Sequence, residues 1–148
     1  MNIQPDFKEL LRLLEKHKVE YMIIGGYAVA FFGYPRFTKD IDIFFEISKD
    51  NICNLMKALI EFGFPQNDLE ENIFLSKGNV ITFGVAPVRV DLLNEINGIE
   101  FSNAKGRRVR GKYGDVEVYF IGKEDLIKNK LSTDRLHDKA DAEELKDK

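Results

Sequence analysis

The sequence contains a single cysteine, Cys53, which excludes an internal disulfide and any zinc site built on several thiolates. Cys53 falls in a helical pattern with Met56 and Ile60, and a buried core thiol is expected there. Tryptophan is absent, which decides nothing. No charged-then-apolar leader opens the chain, and no apolar run reaches membrane length, so the expectation is a cytoplasmic protein with no membrane contact. Repeats and low-complexity tracts are missing too. With a net charge of only -3, the chain is poorly suited to coating nucleic acid non-specifically, although a local basic groove remains open to it. What is present is ordinary for a globular protein. Hydrophobic residues make up 44% and charged residues 32%, and 148 residues predict one domain, 1–148, with a proper core.

The informative stretch runs from Val19 to Ile47. Tyr-Met-Ile-Ile (21–24) reads as a buried strand entering a turn at Gly25-Gly26, and Ala28 to Phe32 as the first turns of a helix. A glycine turn at a helix start lets backbone N–H groups approach an anion with no Cβ in the way, which suits a phosphate. A second strand opens with Asp40 and Asp42 after thirteen intervening residues. Side chains two apart on a strand share a face, so these acids lie together while Ile41, Ile43, Phe45 and Ile47 form the other face. Adjacent carboxylates repel, and one takes up a proton unless a cation sits between them. Mg²⁺ suits the position, being a hard ion bound by one or two carboxylates together with substrate phosphates. The plainer alternative is a strand–turn–helix–strand unit whose exposed face happens to carry acids.

Gly25-Gly26 followed by Asp40-Ile41-Asp42-Ile43 resembles the signature of the nucleotidyltransferase superfamily related to DNA polymerase beta. Pro35-Arg36-Phe37-Thr38-Lys39 narrows the resemblance to small prokaryotic members, including the nucleotidyltransferase-like halves of toxin–antitoxin systems. The third acid of that family matches Asp91 in Val90-Asp91-Leu92-Leu93. The resemblance spans about 19–93, with a looser echo to Asp138. It implies an α+β fold in which helices flank a central mixed sheet and the C-terminus is short and helical. It further implies a nucleoside triphosphate (NTP) substrate, two Mg²⁺ ions (or Mn²⁺) on Asp40, Asp42 and Asp91, and nucleotide contacts from Gly25, Gly26, Arg36, Thr38, Lys130 and Arg135. The implied reaction moves a nucleoside monophosphate to a hydroxyl on a protein side chain, an RNA end or a small molecule such as an aminoglycoside. The alternative is a nucleotide- or partner-binding module of a toxin–antitoxin pair with little or no turnover. Three intact acids favour the enzyme. Gly26 departs from the serine many members carry, which removes one hydroxyl contact to phosphate. Larger members shape the acceptor site with a helical domain, so here residues 94–148, a second copy or a partner is expected to bind the acceptor.

The remaining chain reads as scaffold. Phe7, Leu10, Leu11 and Leu14 mark an amphipathic first helix after Pro5, with His17 near its end. Ser48 caps a helix carrying Ile52, Leu55, Met56, Leu59 and Ile60 until Gly63 stops it. Residues 64–75 suggest a connection with room for a short strand. Strands are expected over 79–85 and 88–93, broken by Ala86-Pro87, with Arg89 and Asp91 sharing a face. A hairpin turns at Tyr113-Gly114-Asp115, and Lys105, Arg107, Arg108, Arg110 and Lys112 gather basic charge beside it. That charge either holds an anionic substrate or simply guards the sheet edge. Two closing helices are expected, Lys123 to Leu131 and roughly Asp134 to Lys146, with His137 on the surface.

Overall fold

The structure, a computed structural model, describes residues 3–34, 40–85 and 88–147. Strands β1 (Tyr21–Ile24), β2 (Asp40–Phe45), β3 (Val80–Val85), β4 (Val88–Leu93), β5 (Val109–Tyr113) and β6 (Val116–Phe120) form one sheet ordered β3-β4-β2-β1-β6-β5. The sheet is mixed: β1 pairs antiparallel with β2 and parallel with β6, and β2 pairs parallel with β4. Helices α1 (Pro5–Lys16), α2 (Gly25–Phe31), α3 (Lys49–Phe62), α4 (Glu71–Leu75), α5 (Phe101–Ala104), α6 (Lys123–Leu131) and α7 (Leu136–Lys146) complete an α+β architecture of nucleotidyltransferase type, as expected. Among the described residues, no helix is long and apolar enough to cross a membrane.

The pattern of each segment explains its place. All four residues of β1 are buried, which fits a strand at the middle of the sheet. Pro5 starts α1 where its missing N–H has no helical partner to lose, and Phe7, Leu10, Leu11 and Leu14 bury one stripe of that helix. Ser48 caps α3 by accepting a hydrogen bond from the Asn51 N–H at 3.1 Å. Asn51 is itself buried. Its amide accepts from the Glu20 N–H at 2.6 Å and donates to the carbonyls of Glu20 and Glu46 at 3.0 and 2.8 Å, joining the start of α3 to the ends of β1 and β2.

Four expectations change. Cys53 is exposed, because the buried stripe of α3 is Ile52, Leu55, Ala58 and Leu59, and Cys53 lies one residue, or about 100°, round the helix from Ile52. Ile60, expected on that stripe, is exposed for the same reason. Residues 64–75 hold a 3-10 turn (Gln66–Asp68) and α4 in place of a short strand. Strand β2 ends at Phe45, short of Ile47, and Phe44 is buried on the acid face, where its ring meets Phe101 edge-on at 5.1 Å. The break at 86–87 lies outside the described residues.

Candidate active site

The acids meet because β2 and β4 are parallel neighbours. Their register sets Asp42 opposite Asp91 and Asp40 opposite Arg89. The Asp42 and Asp91 carboxyls share a hydrogen bond. Asp91 also accepts from the Thr82 hydroxyl at 2.7 Å and from Arg89 Nε at 3.3 Å. Thr82 lies opposite Asp91 on β3, so the hairpin of β3 and β4 fixes that side of the site. Burial, followed by the charge and hydrogen bond of Asp91 and the charge of Asp40, pushes the Asp42 pKa up to about 7, partly offset by Lys130.

Gly25 ends β1 and begins α2 with φ +70°, a conformation that glycine adopts without strain. A Cβ at this position would stand 2.5 Å from Asp42 Oδ2. The absence of a side chain is thus what lets the strand end lie against the carboxylate. Gly26 follows in the first turn of α2.

A cleft of about 480 Å³ opens over this point, lined by Gly25, Asp42, Glu95, Asn129, Lys130, Thr133, Arg135 and Asp138 among others. The closing helices bring the basic residues to it. Lys130 of α6 is buried, and its Nζ pairs with Asp138 at 3.1 Å and Asp141 at 3.3 Å on α7. Burial resists ionisation of Asp138, but hydrogen bonds from Thr133 and Lys130 and the charges of Lys130 and Arg135 outweigh it and hold its pKa below the usual carboxylate value. His137 is mostly exposed, with Nε2 3.5 Å from Asp141.

Gly25, Asp42, Lys130 and Arg135 therefore line one cleft, and Asp91 joins them through Asp42. Asp40 precedes Asp42 by two residues on the same strand face and adds its charge there. Arg36 and Thr38 lie outside the described residues. Sequence reasoning missed Thr82, which follows from the hairpin register, and Asp141, which stands at a three-residue helical step from Asp138. Most of the basic run at 105–112 is ion-paired, with only the Arg108 side chain buried: Lys105 and Arg108 pair with Glu20 at 2.9 and 3.2 Å, Arg107 with Asp125 at 2.9 Å and Arg110 with Glu15 at 3.0 Å, while Lys112 is exposed.

The family described as nucleotidyltransferase of unknown function (DUF6036) has a model that matches residues 2–146. This chain belongs to that family. No curated protein matches it. For a nucleotidyltransferase of this family, hard carboxylate oxygens beside a glycine bend and basic side chains fit a divalent cation held jointly with substrate phosphate. Among the described residues no group of three His, Cys, Asp or Glu side chains stands close enough to hold a metal ion by itself. Two carboxylates in contact, with a third charge on the same face, suit an ion that completes its shell with substrate and water.

Proposed function

We propose that the chain transfers a nucleoside monophosphate from an NTP to a hydroxyl acceptor. The observation that carries this reading is the Asp42–Asp91 carboxyl pair, set against Gly25 in a cleft whose other wall holds Lys130 and Arg135. Two Mg²⁺ ions (or Mn²⁺) held by Asp40, Asp42 and Asp91 would supply neutralisation of the triphosphate and acidification of the acceptor hydroxyl. Gly25 and Gly26 leave backbone amides open to phosphate oxygens, as Arg36 and Thr38 do with their side chains on the family resemblance. Arg135 grips phosphate with its planar fork, and Lys130 contributes a point charge held in place by Asp138 and Asp141. The acceptor oxygen attacks the α-phosphorus, the bond between that phosphorus and its bridging oxygen breaks, and pyrophosphate leaves with the electron pair. The hydroxyl proton passes to the carboxyl pair and then to water.

The test is incubation of the full chain with each labelled NTP, Mg²⁺ and a cell extract. Label should move to an acceptor and should vanish in Asp42→Ala and Asp91→Ala. Nucleotide binding without transfer to anything would overturn the enzyme in favour of a binding module. The resemblance to small prokaryotic members of the polymerase-beta superfamily supports a place in a toxin–antitoxin pair. A neighbouring small partner gene whose product binds this chain is the expected finding, and its absence would remove that placement without touching the chemistry.

A further inference from the structure

Arg89 stands inside the acid triad without a part in the chemistry so far assigned to it. Strand register sets it opposite Asp40, and its Nε donates to Asp91 Oδ1, two residues along β4, at 3.3 Å. Residues two apart on a strand share a face, so the guanidinium lies on the acid side of the sheet. It enters by way of Asp91, across the carboxyl pair from the cleft that Lys130 and Arg135 line.

The hydrogen bonding of Arg89 sets it apart. Arg12 and Arg107 each grip one carboxylate through two nitrogens, and Arg108 spends three nitrogens on two carbonyls and Glu20. Arg110 divides its terminal amino groups between Glu15 and Glu117. Among the described arginines only Arg89 and Arg135 keep both Nη groups without a partner, and both stand at the acid site. The one bond Arg89 makes is weak: 3.3 Å is past the usual N–H···O range, whereas the Thr82 hydroxyl holds the same oxygen at 2.7 Å. Nearly half of the Arg89 side chain is in solvent, against 14% of Asp91, so the arginine has room to turn and the carboxylate does not.

Resting on the nucleotidyltransferase reading, we propose that Arg89 is a phosphate-binding residue that exchanges partners. Before a nucleotide binds, it sits on Asp91 as a counter-charge and competes there with a bare divalent ion. Once an NTP is bound with its ion, the guanidinium turns its two free Nη groups to the phosphate oxygens, a geometry its planar fork suits. Thr82 keeps Asp91 in place when Arg89 leaves. The exchange favours the metal–nucleotide complex over the metal alone. Lys130 and Arg135 then meet the triphosphate from one side and Arg89 from the other.

The experiment titrates the full chain with Mn²⁺, read by electron paramagnetic resonance, alone and with the α,β-methylene analogue of each NTP, which is not cleaved between those phosphates. Arg89→Gln should bind bare Mn²⁺ about fivefold more tightly, the scale of one unit charge a few ångströms away in a solvated site. It should bind the Mn²⁺–analogue complex about tenfold more weakly, the scale of one charge-assisted hydrogen bond. Arg89→Lys should return bare Mn²⁺ affinity to that of the parent but recover only part of the analogue affinity, since an ammonium lacks the fork. Misfolding would weaken both, so the opposite signs belong to the exchange alone. Any other pattern in Arg89→Gln, such as changes of one sign or an analogue affinity within twofold of the parent, overturns this inference. As long as the parent transfers label, the nucleotidyltransferase reading then stands. A parent that binds no analogue and transfers no label overturns both.

Discussion

Asp42 and Asp91 stand directly opposite one another on adjacent parallel strands and share a hydrogen bond, which requires that one carboxyl hold a proton when no cation is near. Backbone pairing forces this closeness. Each residue sits in a six-residue strand whose apolar positions, Ile41 and Ile43 on β2 and Val90 and Leu92 on β4, are buried. The apolar face thus fixes the register, and the register brings the acids together at an energetic cost that a bound cation would relieve.

That cost is measurable as a pH effect. Asp42 has its folded pKa raised from 3.8 to about 7 by burial, Asp91 and Asp40, against Lys130. A raised folded pKa means that the folded state holds the proton more tightly. Stability from this group is then full below about pH 4 and is lost as pH rises through 7, by roughly 4 kcal/mol in all. With EDTA present, Asp42→Asn should be more stable than the parent at pH 8, and the advantage should fade towards pH 4. Urea denaturation at several pH values checks this, and an advantage independent of pH would contradict it.

Gly25→Ala should damage both backbone and site. The left-handed φ of +70° costs a residue with a Cβ about 1–2 kcal/mol, and the added atom would collide with Asp42 Oδ2. The variant should lose stability and bind nucleotide at least tenfold more weakly. In a double-mutant cycle, Asp42→Ala should recover the part due to collision but not the part due to φ. Fully additive losses would show that the contact between the two residues is unimportant.

The sheet strands and the acid pair were legible in the sequence because both follow from period-two alternation, which is local. Asn51 and Arg108 were not legible. A polar residue in the first turn of a helix and an arginine in a basic run look solvated until tertiary structure brings Glu20 to both. Cys53 misled because a cysteine beside apolar helical positions reads as core, whereas the α3 stripe excludes it by a single residue. The closing helices show the intermediate case: Lys130, Arg135 and Asp138 were placed by resemblance, while Asp141 became visible only when α7 packed on α6.

Arg108 supplies a stability prediction separate from the site. Its guanidinium donates to the Tyr21 carbonyl at 3.0 Å, the Lys105 carbonyl at 2.9 Å and Glu20 at 3.2 Å, and it lies over the Tyr119 ring at 3.8 Å. Its side chain is almost wholly buried. Arg108→Ala should cost about 2–4 kcal/mol, since it strands these acceptors and removes a buried stack. Arg108→Lys should recover less than half, because one ammonium cannot span three acceptors as a planar fork does. KM for the NTP in the folded fraction should not move. A large rise in it would mean that Arg108 touches substrate.

Lys130 stands between two buried carboxylates, Asp138 and Asp141, the latter only 1% exposed. Lys130→Met keeps the bulk of the stem and removes the charge, which leaves the pair facing one another. Breaking a buried pair by removing one partner costs about 3–5 kcal/mol. Asp138 sets the direction of the pH dependence. Its pKa is depressed in the folded state, so its contribution is present at neutral pH and disappears as pH falls through the carboxylate range. The deficit of Lys130→Met should therefore be greatest near pH 7 and shrink on acidification, and Lys130→Met combined with Asp141→Asn should be more stable than Lys130→Met alone. Denaturant curves at pH 7 and pH 4.5 decide the point. A deficit that stays constant, or a double variant less stable than the single, would mean that Lys130 acts through packing and not through its charge.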